Sequence, residues 1–207
     1  MHENKFLDAL QATLEALGRK LETLDLVIVS KGRDVDQMMR VLKICQRLNF
    51  RSITFGENYV SELARKLHIF GPEMFHFIGR CKTGIVEQLI KKRVFIQTIS
   101  SLKQLNVVQE SNSKCFIQVN IANDERKSGF SLETALEVYE SNKGCVRGVM
   151  TILNQNFSDE KKFECFLTLR KAFPDAVLSA GMSSDWHLAL RAGSDLIRIG
   201  NALFNNA

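Results

Sequence analysis

The sequence predicts a single (β/α)8 TIM barrel with an extra N-terminal helix, and three observations carry that expectation. Eight short apolar runs recur along the chain at a mean interval of about 24 residues. Longer stretches with apolar residues at helical spacing lie between them. The runs are nearly continuous in their apolar character, as strands are when both faces of a parallel sheet are covered.

The elements follow in order. Residues 1–24 read as a helical segment, with Phe6, Leu7, Leu10, Leu14 and Leu17 on one face. The strands are LVIVS (26–30), SITFG (52–56), MFHFIG (74–79), VFIQTI (94–99), CFIQVN (115–120), VRGVMTI (146–152), AVLSAG (176–181) and DLIRIG (195–200). Val35, Met38, Met39, Leu42 and Cys45 line a helix over 35–48, and Phe163, Phe166, Leu167 and Leu169 line another over 159–173. An open doubly wound sheet is the alternative arrangement. No Pro-, Gly- or Ser-rich linker interrupts the pattern, so 1–207 reads as one domain.

Composition narrows the class. With 45% hydrophobic and 25% charged residues and only 2 Pro, the chain is neither disordered nor collagen-like. Its five cysteines are an odd number set in or beside apolar runs, which suits small buried side chains in a reducing compartment. The opening MHENKFLDALQATLEALGRK has no uninterrupted apolar core, and no window approaches the roughly 18 apolar residues of a membrane span. A cytoplasmic protein without membrane contact is expected. The net charge of +5 comes from the first half, but its basic residues are not interleaved with aromatics, and KKR at 91–93 reads as a helix end. Nucleic acid is not an expected partner.

In a barrel, chemistry gathers where the βα loops converge, at the C-terminal ends of strands. Those positions hold Ser30 and Lys31; Gly56, Glu57 and Asn58; Gly79 and Arg80; Gln118 and Asn120; Gly181 to Ser184; and Arg198, Gly200 and Asn201. Lys31 places an amine at the mouth, where partial desolvation exposes the neutral nucleophile used in Schiff-base chemistry; the plainer alternative is a solvated strand-end lysine. The segments AGMSSD and RIGN combine glycines, hydroxyls and backbone amides in the way a phosphate requires. They read equally as tight turns with Ser183 or Ser184 as a helix N-cap. His2, His68, His76 and His187 show no metal spacing, and His76 in MFHFIG is expected to be a core histidine. Glu57 has no acid partner in sequence, whereas Asn58 could donate a hydrogen bond into the mouth.

Read in order, VIVSKGRD, ITFGENYVSELARK, FHFIGR, FIQVNIANDERKSGF, RGVMTI and LSAGMSSDWHLALRAGSDLIRIGNALF resemble the pyridoxal phosphate homeostasis proteins, single-domain relatives of the N-terminal barrel of alanine racemase. The resemblance spans about residues 25–204. It implies pyridoxal 5′-phosphate held as a Schiff base on Lys31, with Asn58 near the cofactor ring. It also implies Met182 and Ser183 of GMS, with Gly200 and Asn201 of RIGN, at the phosphate. Arg198 would sit under the pyridine nitrogen or the phosphate, and a cation there disfavours the protonated pyridinium that carbanion chemistry uses. Two departures stand out: Asn201 replaces the family's usual Thr, and HFIGRCKTGI replaces HFIGHLQSNK. The implied function is vitamin B6 homeostasis with little or no turnover, and transient contact with apo-enzymes that use the cofactor. An amino-acid racemase is the alternative. Its two-base relatives use a tyrosine from a further domain, and this chain offers only Tyr59 and Tyr139. A third reading is a barrel binding some other phosphorylated ligand.

Overall fold

A computed structural model describes residues 4–124 and 126–205. Eight strands, β1 (Asp25–Val29), β2 (Ser52–Glu57), β3 (Phe75–Phe77), β4 (Phe95–Ile99), β5 (Cys115–Gln118), β6 (Val146–Met150), β7 (Val177–Ser179) and β8 (Leu196–Ile199), lie parallel in chain order. The register Asp25↔Leu196 through Ile28↔Ile199 joins β8 to β1 and closes the barrel, which excludes the open sheet. Each expected run supplies its strand. Most are trimmed by a residue or two where the chain turns out of the ladder.

The helices are α1 (Lys5–Ala16), α2 (Val35–Gln46), α3 (Val60–Phe70), α4 (Thr83–Lys91), α5 (Leu102–Glu110), α6 (Leu132–Ser141), α7 (Asp159–Ala172), α8 (Trp186–Arg191) and α9 (Asn201–Phe204). Local chemistry sets several starts. Asp34 and Gln37 form a reciprocal capping box at α2, and Ser101, Ser131 and Ser158 each accept from the amide three residues on.

Strand alternation divides the apolar side chains between two cores. Leu26 and Ile28 belong to the large layer between sheet and helices. Val27 belongs to a smaller cluster with Phe116, Met150 and Leu196 inside the barrel. The inner face therefore carries the residues on which a site at the mouth would rest.

The opening helix is fastened beside the last elements. Phe6, Leu7, Leu10 and Leu14 are buried, each removed from water with roughly 1.5–3 kcal/mol of gross stabilisation. Leu17 departs from the expected stripe: it is the α1 C-cap and 37% exposed, because the helix stops before completing that turn. Asn4 caps α1 and donates to Leu203 O at 2.8 Å, while Phe6 meets Trp186 edge-on at 5.3 Å. All five cysteines are free and buried, as expected, and burial pushes Cys45 and Cys115 up to about 12. Among the described residues no helix is long and apolar enough to cross a membrane. His2 lies outside the described residues.

Candidate functional site

Four neighbouring strands, in the order β7, β8, β1, β2, bring the expected site residues to one end of the barrel. Their following loops hold Met182 and Ser183, Gly200 and Asn201, Lys31, and Asn58. Lys31 is exposed in the turn after β1. Arg198 lies lower, within β8, and is 2% exposed.

The AGMSSD loop differs from one sequence expectation. Neither Ser183 nor Ser184 caps α8; Asp185 holds the cap position, and its carboxylate turns back to accept the Met182 amide at 2.7 Å. Ser183 is thereby left exposed, with a hydroxyl that has no hydrogen bond among the described residues. Gly181 is required where it stands: at φ +97° a Cβ would lie 2.9 Å from both the Ala189 Cβ and the Trp186 Cα. Gly200 is different. Its φ is −108°, and an added Cβ would come no nearer than 3.5 Å to Val29, so the space around it is open.

Asn201 Oδ1 accepts from Arg33 Nη2 at 2.8 Å, which leaves the Asn201 amide N–H groups free to donate. The Arg33 guanidinium also lies 4.6 Å from the centre of the Phe204 ring. Sequence reasoning passed over Arg33, although it stands two residues after Lys31 in VSKGRD.

A hydrogen-bonded chain crosses the barrel interior beneath the mouth. Arg198 Nη1 donates to Ser179 Oγ at 2.6 Å and to Ser179 O at 2.8 Å, and Nη2 donates to Thr151 O at 2.7 Å. Ser179 Oγ donates to Gln97 Oε1 at 2.7 Å, and Gln97 Nε2 meets His76 Nδ1 at 2.6 Å. The Arg198 guanidinium and the Gln97 amide nitrogen can only donate, so the link to His76 runs from Gln97 to the imidazole. Nδ1 of His76 is therefore an acceptor and the ring proton sits on Nε2. Burial pushes His76 down to about 4, so the imidazole is neutral at physiological pH. His76 is accordingly a neutral, half-buried histidine of the barrel interior, hydrogen-bonded through Nδ1. Burial also lowers Arg198, to about 10, and the guanidinium stays cationic among neutral oxygens.

Glu57 has a partner that sequence reasoning missed. Its fully buried carboxylate pairs with the Lys66 ammonium and accepts from Ser30 Oγ at 2.8 Å. The same ammonium donates to Ser30 O at 2.7 Å and meets Glu62 at 3.3 Å, and Glu62 Oε2 accepts the Gly32 amide at 2.8 Å. The Gly32 amide, followed by Lys66, holds the Glu62 carboxyl below its ordinary range. Next to Glu57, Asn58 carries a buried Oδ1 with no hydrogen-bond partner among the described residues. Gly79 packs against the Asn58 backbone so closely that a Cβ would fall 2.0 Å from its carbonyl oxygen.

After Gly79, where HFIGRCKTGI departs from the family pattern, a cavity of about 880 Å³ is lined by Arg80, Lys82, Ser100, Gln104 and Ser128, among others. Gln104 ties two of its walls, donating to Cys81 O and accepting from the Ser100 amide, each at 2.8 Å. Among the described residues no three His, Cys, Asp or Glu side chains are grouped to hold a metal ion.

No family model matches the chain. The pyridoxal phosphate homeostasis protein of Helicobacter pylori (strain 26695) is 33% identical, over 86% of this chain and 86% of its own length. That of Schizosaccharomyces pombe is 30% identical, over 87% and 83%. Among solved structures, PipY of Synechococcus elongatus with PLP bound superposes with a TM-score of 0.72 at 22% identity, over 94% of this chain and 99% of that one. Alanine racemase of Corynebacterium glutamicum gives 0.64 at 15% identity, with 95% of this chain on 61% of the racemase. With identity of 30% or more spread across most of both chains, the protein belongs to the pyridoxal phosphate homeostasis protein family.

Proposed function

We propose that the protein binds pyridoxal 5′-phosphate reversibly, as a Schiff base on Lys31, and holds and delivers it with little or no amino-acid turnover of its own. One observation carries the reading: an exposed lysine at the end of β1 stands between two phosphate-type loops and an asparagine whose buried Oδ1 has no partner among the described residues. Those are vacant polar groups suited to a cofactor with a phosphate, an aldehyde and a polar ring. The neutral Lys31 amine condenses with the aldehyde, losing both its protons with the aldehyde oxygen as one water. The Ser183 hydroxyl, the backbone at Gly200 and the Asn201 amide bind the phosphate, with Arg33 adding positive charge, while the Met182 amide stays with the Asp185 carboxylate. Asn58 faces the ring.

Arg198 supports the carrier over the racemase. Its hydrogen bonds go to neutral oxygens, the Asp185 carboxylate acting on it only through space, so a ring nitrogen beside it stays unprotonated and the cofactor is a poor electron sink. A racemase also needs an opposing base. Tyr139 is buried on α6 against Phe173, which leaves Tyr59, exposed next to Asn58. An exposed Lys31 suits release to apo-enzymes by transient contact, and five free cysteines suit the cytoplasm.

The test is spectroscopic. The purified protein with pyridoxal 5′-phosphate should show a visible absorbance band, and Lys31→Ala should lack it while remaining folded. Borohydride reduction and peptide mapping that label another lysine would refute the assignment. Loss of optical activity from alanine or serine at about one turnover per second or faster would move the protein into the racemases.

A further inference from the structure

We propose that Lys66, together with Glu57 and Glu62, clamps the backbone on both sides of Lys31 and so presets the direction in which its amine enters the mouth. The inference rests on the reading of Lys31 as the cofactor lysine. Lys66 and Glu62 are positioning residues in it, acting through the Ser30–Lys31–Gly32 turn.

The bonding closes completely. An ammonium has three N–H donors, and three acceptors meet this one: Ser30 O, Glu57 Oε1 and Glu62 Oε2. Before Lys31, Ser30 is fixed through its amide to Gly56 O at 3.0 Å, its hydroxyl to Glu57 and its carbonyl to Lys66. After Lys31, the Gly32 amide is fixed to Glu62. Gly32 has φ +68°, and a Cβ there would meet nothing within 4 Å, so conformation rather than space calls for glycine. That left-handed residue is the one whose N–H points to α3. Lys31 itself is left without a hydrogen bond among the described residues, its neighbours held and its side chain exposed.

Stability alone explains the cluster poorly. Lys66 is 6% exposed and Glu57 0%, and a buried ion pair is commonly no more stabilising than a well-packed apolar pair of the same volume. What this pair does that apolar side chains cannot is bond the turn that carries Lys31. The other oxygen of Glu57 accepts the Asn58 amide at 3.3 Å, so the same carboxylate bears on both cofactor-side residues of β1 and β2. A turn held in advance spares the covalent step the ordering of its nucleophile.

Lys66→Met strands a buried carboxylate and can fail to fold, so Glu62→Ala is the working variant, with Glu62→Gln as the conservative rescue. Three quantities are measured: hydrogen exchange of the Gly32 amide in the cofactor-free protein, the dissociation constant of pyridoxine 5′-phosphate, which has no aldehyde, and the rate of the absorbance rise at saturating pyridoxal 5′-phosphate. In Glu62→Ala the Gly32 amide should exchange faster and covalent attachment should slow on the order of tenfold, the effect of losing one charge-assisted hydrogen bond. The affinity for pyridoxine 5′-phosphate should hold within about twofold. Glu62→Gln, which can still accept the Gly32 amide, should recover most of the rate. An unchanged attachment rate despite a deprotected Gly32 amide overturns the clamp. So does a loss of pyridoxine 5′-phosphate affinity that matches the loss of rate. A wild-type protein with no absorbance band overturns the reading of Lys31 instead, and the clamp's purpose with it.

Discussion

Acidification should destabilise the fold through His76. Its Nδ1 accepts from Gln97, its ring lies against Phe95 at 4.8 Å, and burial holds it down to about 4, against an ordinary value of 6.5. The unfolded chain takes up a proton near 6.5 and the folded chain only near 4. Between those values the unfolded state binds more protons, so stability falls as pH falls. The loss begins near pH 6.5 and is complete near pH 4, and at about 1.4 kcal/mol per pH unit the whole window amounts to about 3 kcal/mol. Between pH 7 and pH 5 the His76 share is about 2 kcal/mol. Urea unfolding of the wild type and of His76→Gln at both pH values isolates it, since glutamine can accept from Gln97 and does not titrate. The wild type should lose about 2 kcal/mol more than the variant at unchanged m-value. Parallel profiles for the two proteins, or an NMR titration of the His76 ring with a midpoint above 6, would refute the reasoning.

Two further outcomes follow from contacts at the mouth. Gly79→Ala drives a methyl group into the Asn58 carbonyl, backbone against backbone, and should cost roughly 1–3 kcal/mol or more in urea unfolding; a variant as stable as the wild type would show that the two loops are not in contact. Ser183→Ala removes an exposed hydroxyl without a partner, so stability should stay within about 0.5 kcal/mol while retention of pyridoxal 5′-phosphate weakens by roughly 5- to 100-fold. An unchanged dissociation constant would leave AGMSSD as a turn and nothing more.

The strands were legible because burial on both faces writes itself locally, as in LVIVS or CFIQVN. The loops after β7 and β8 were legible because Gly, Ser and Asn stand together there. What escaped the sequence depends on approach in space. Glu62 and Lys66 have the i, i+4 spacing of an ordinary solvated helix pair, and only the docking of α3 against the end of β1 buries Lys66 and delivers it to Glu57 and Ser30. Ser179 and Gln97 are 82 residues apart, so no window of sequence could show that they link Arg198 to His76. The sequence offered Ser183 or Ser184 as the cap of α8, and the position falls to Asp185, a residue type equally at home there, whose side chain bonds back to Met182 rather than forward into the helix.

The buried cations nearest the mouth, Lys66 and Arg198, are balanced in opposite ways, and the difference bears on how an anionic cofactor would orient. Lys66 sits with two carboxylates, so the cluster beside β2 carries a formal charge of −1. Arg198 is bonded to carbonyl and hydroxyl oxygens, with the Asp185 carboxylate acting on it through space, and Arg33 adds a second cation on the side of α9, so that side keeps a formal charge of about +1. Below the mouth the barrel interior is packed with side chains, where charges are screened far less than in water. A dianionic phosphate is therefore drawn to the side of β7 and β8 and repelled from the side of β2, before any hydrogen bond forms. That orientation places the phosphate on the Ser183 and Asn201 loops and turns the rest of the cofactor toward Lys31 and Asn58. Arg33→Ala should accordingly weaken binding of pyridoxine 5′-phosphate, and more so at low ionic strength than at high. Equal losses at both salt concentrations would mean that Arg33 acts only by holding Asn201 in place.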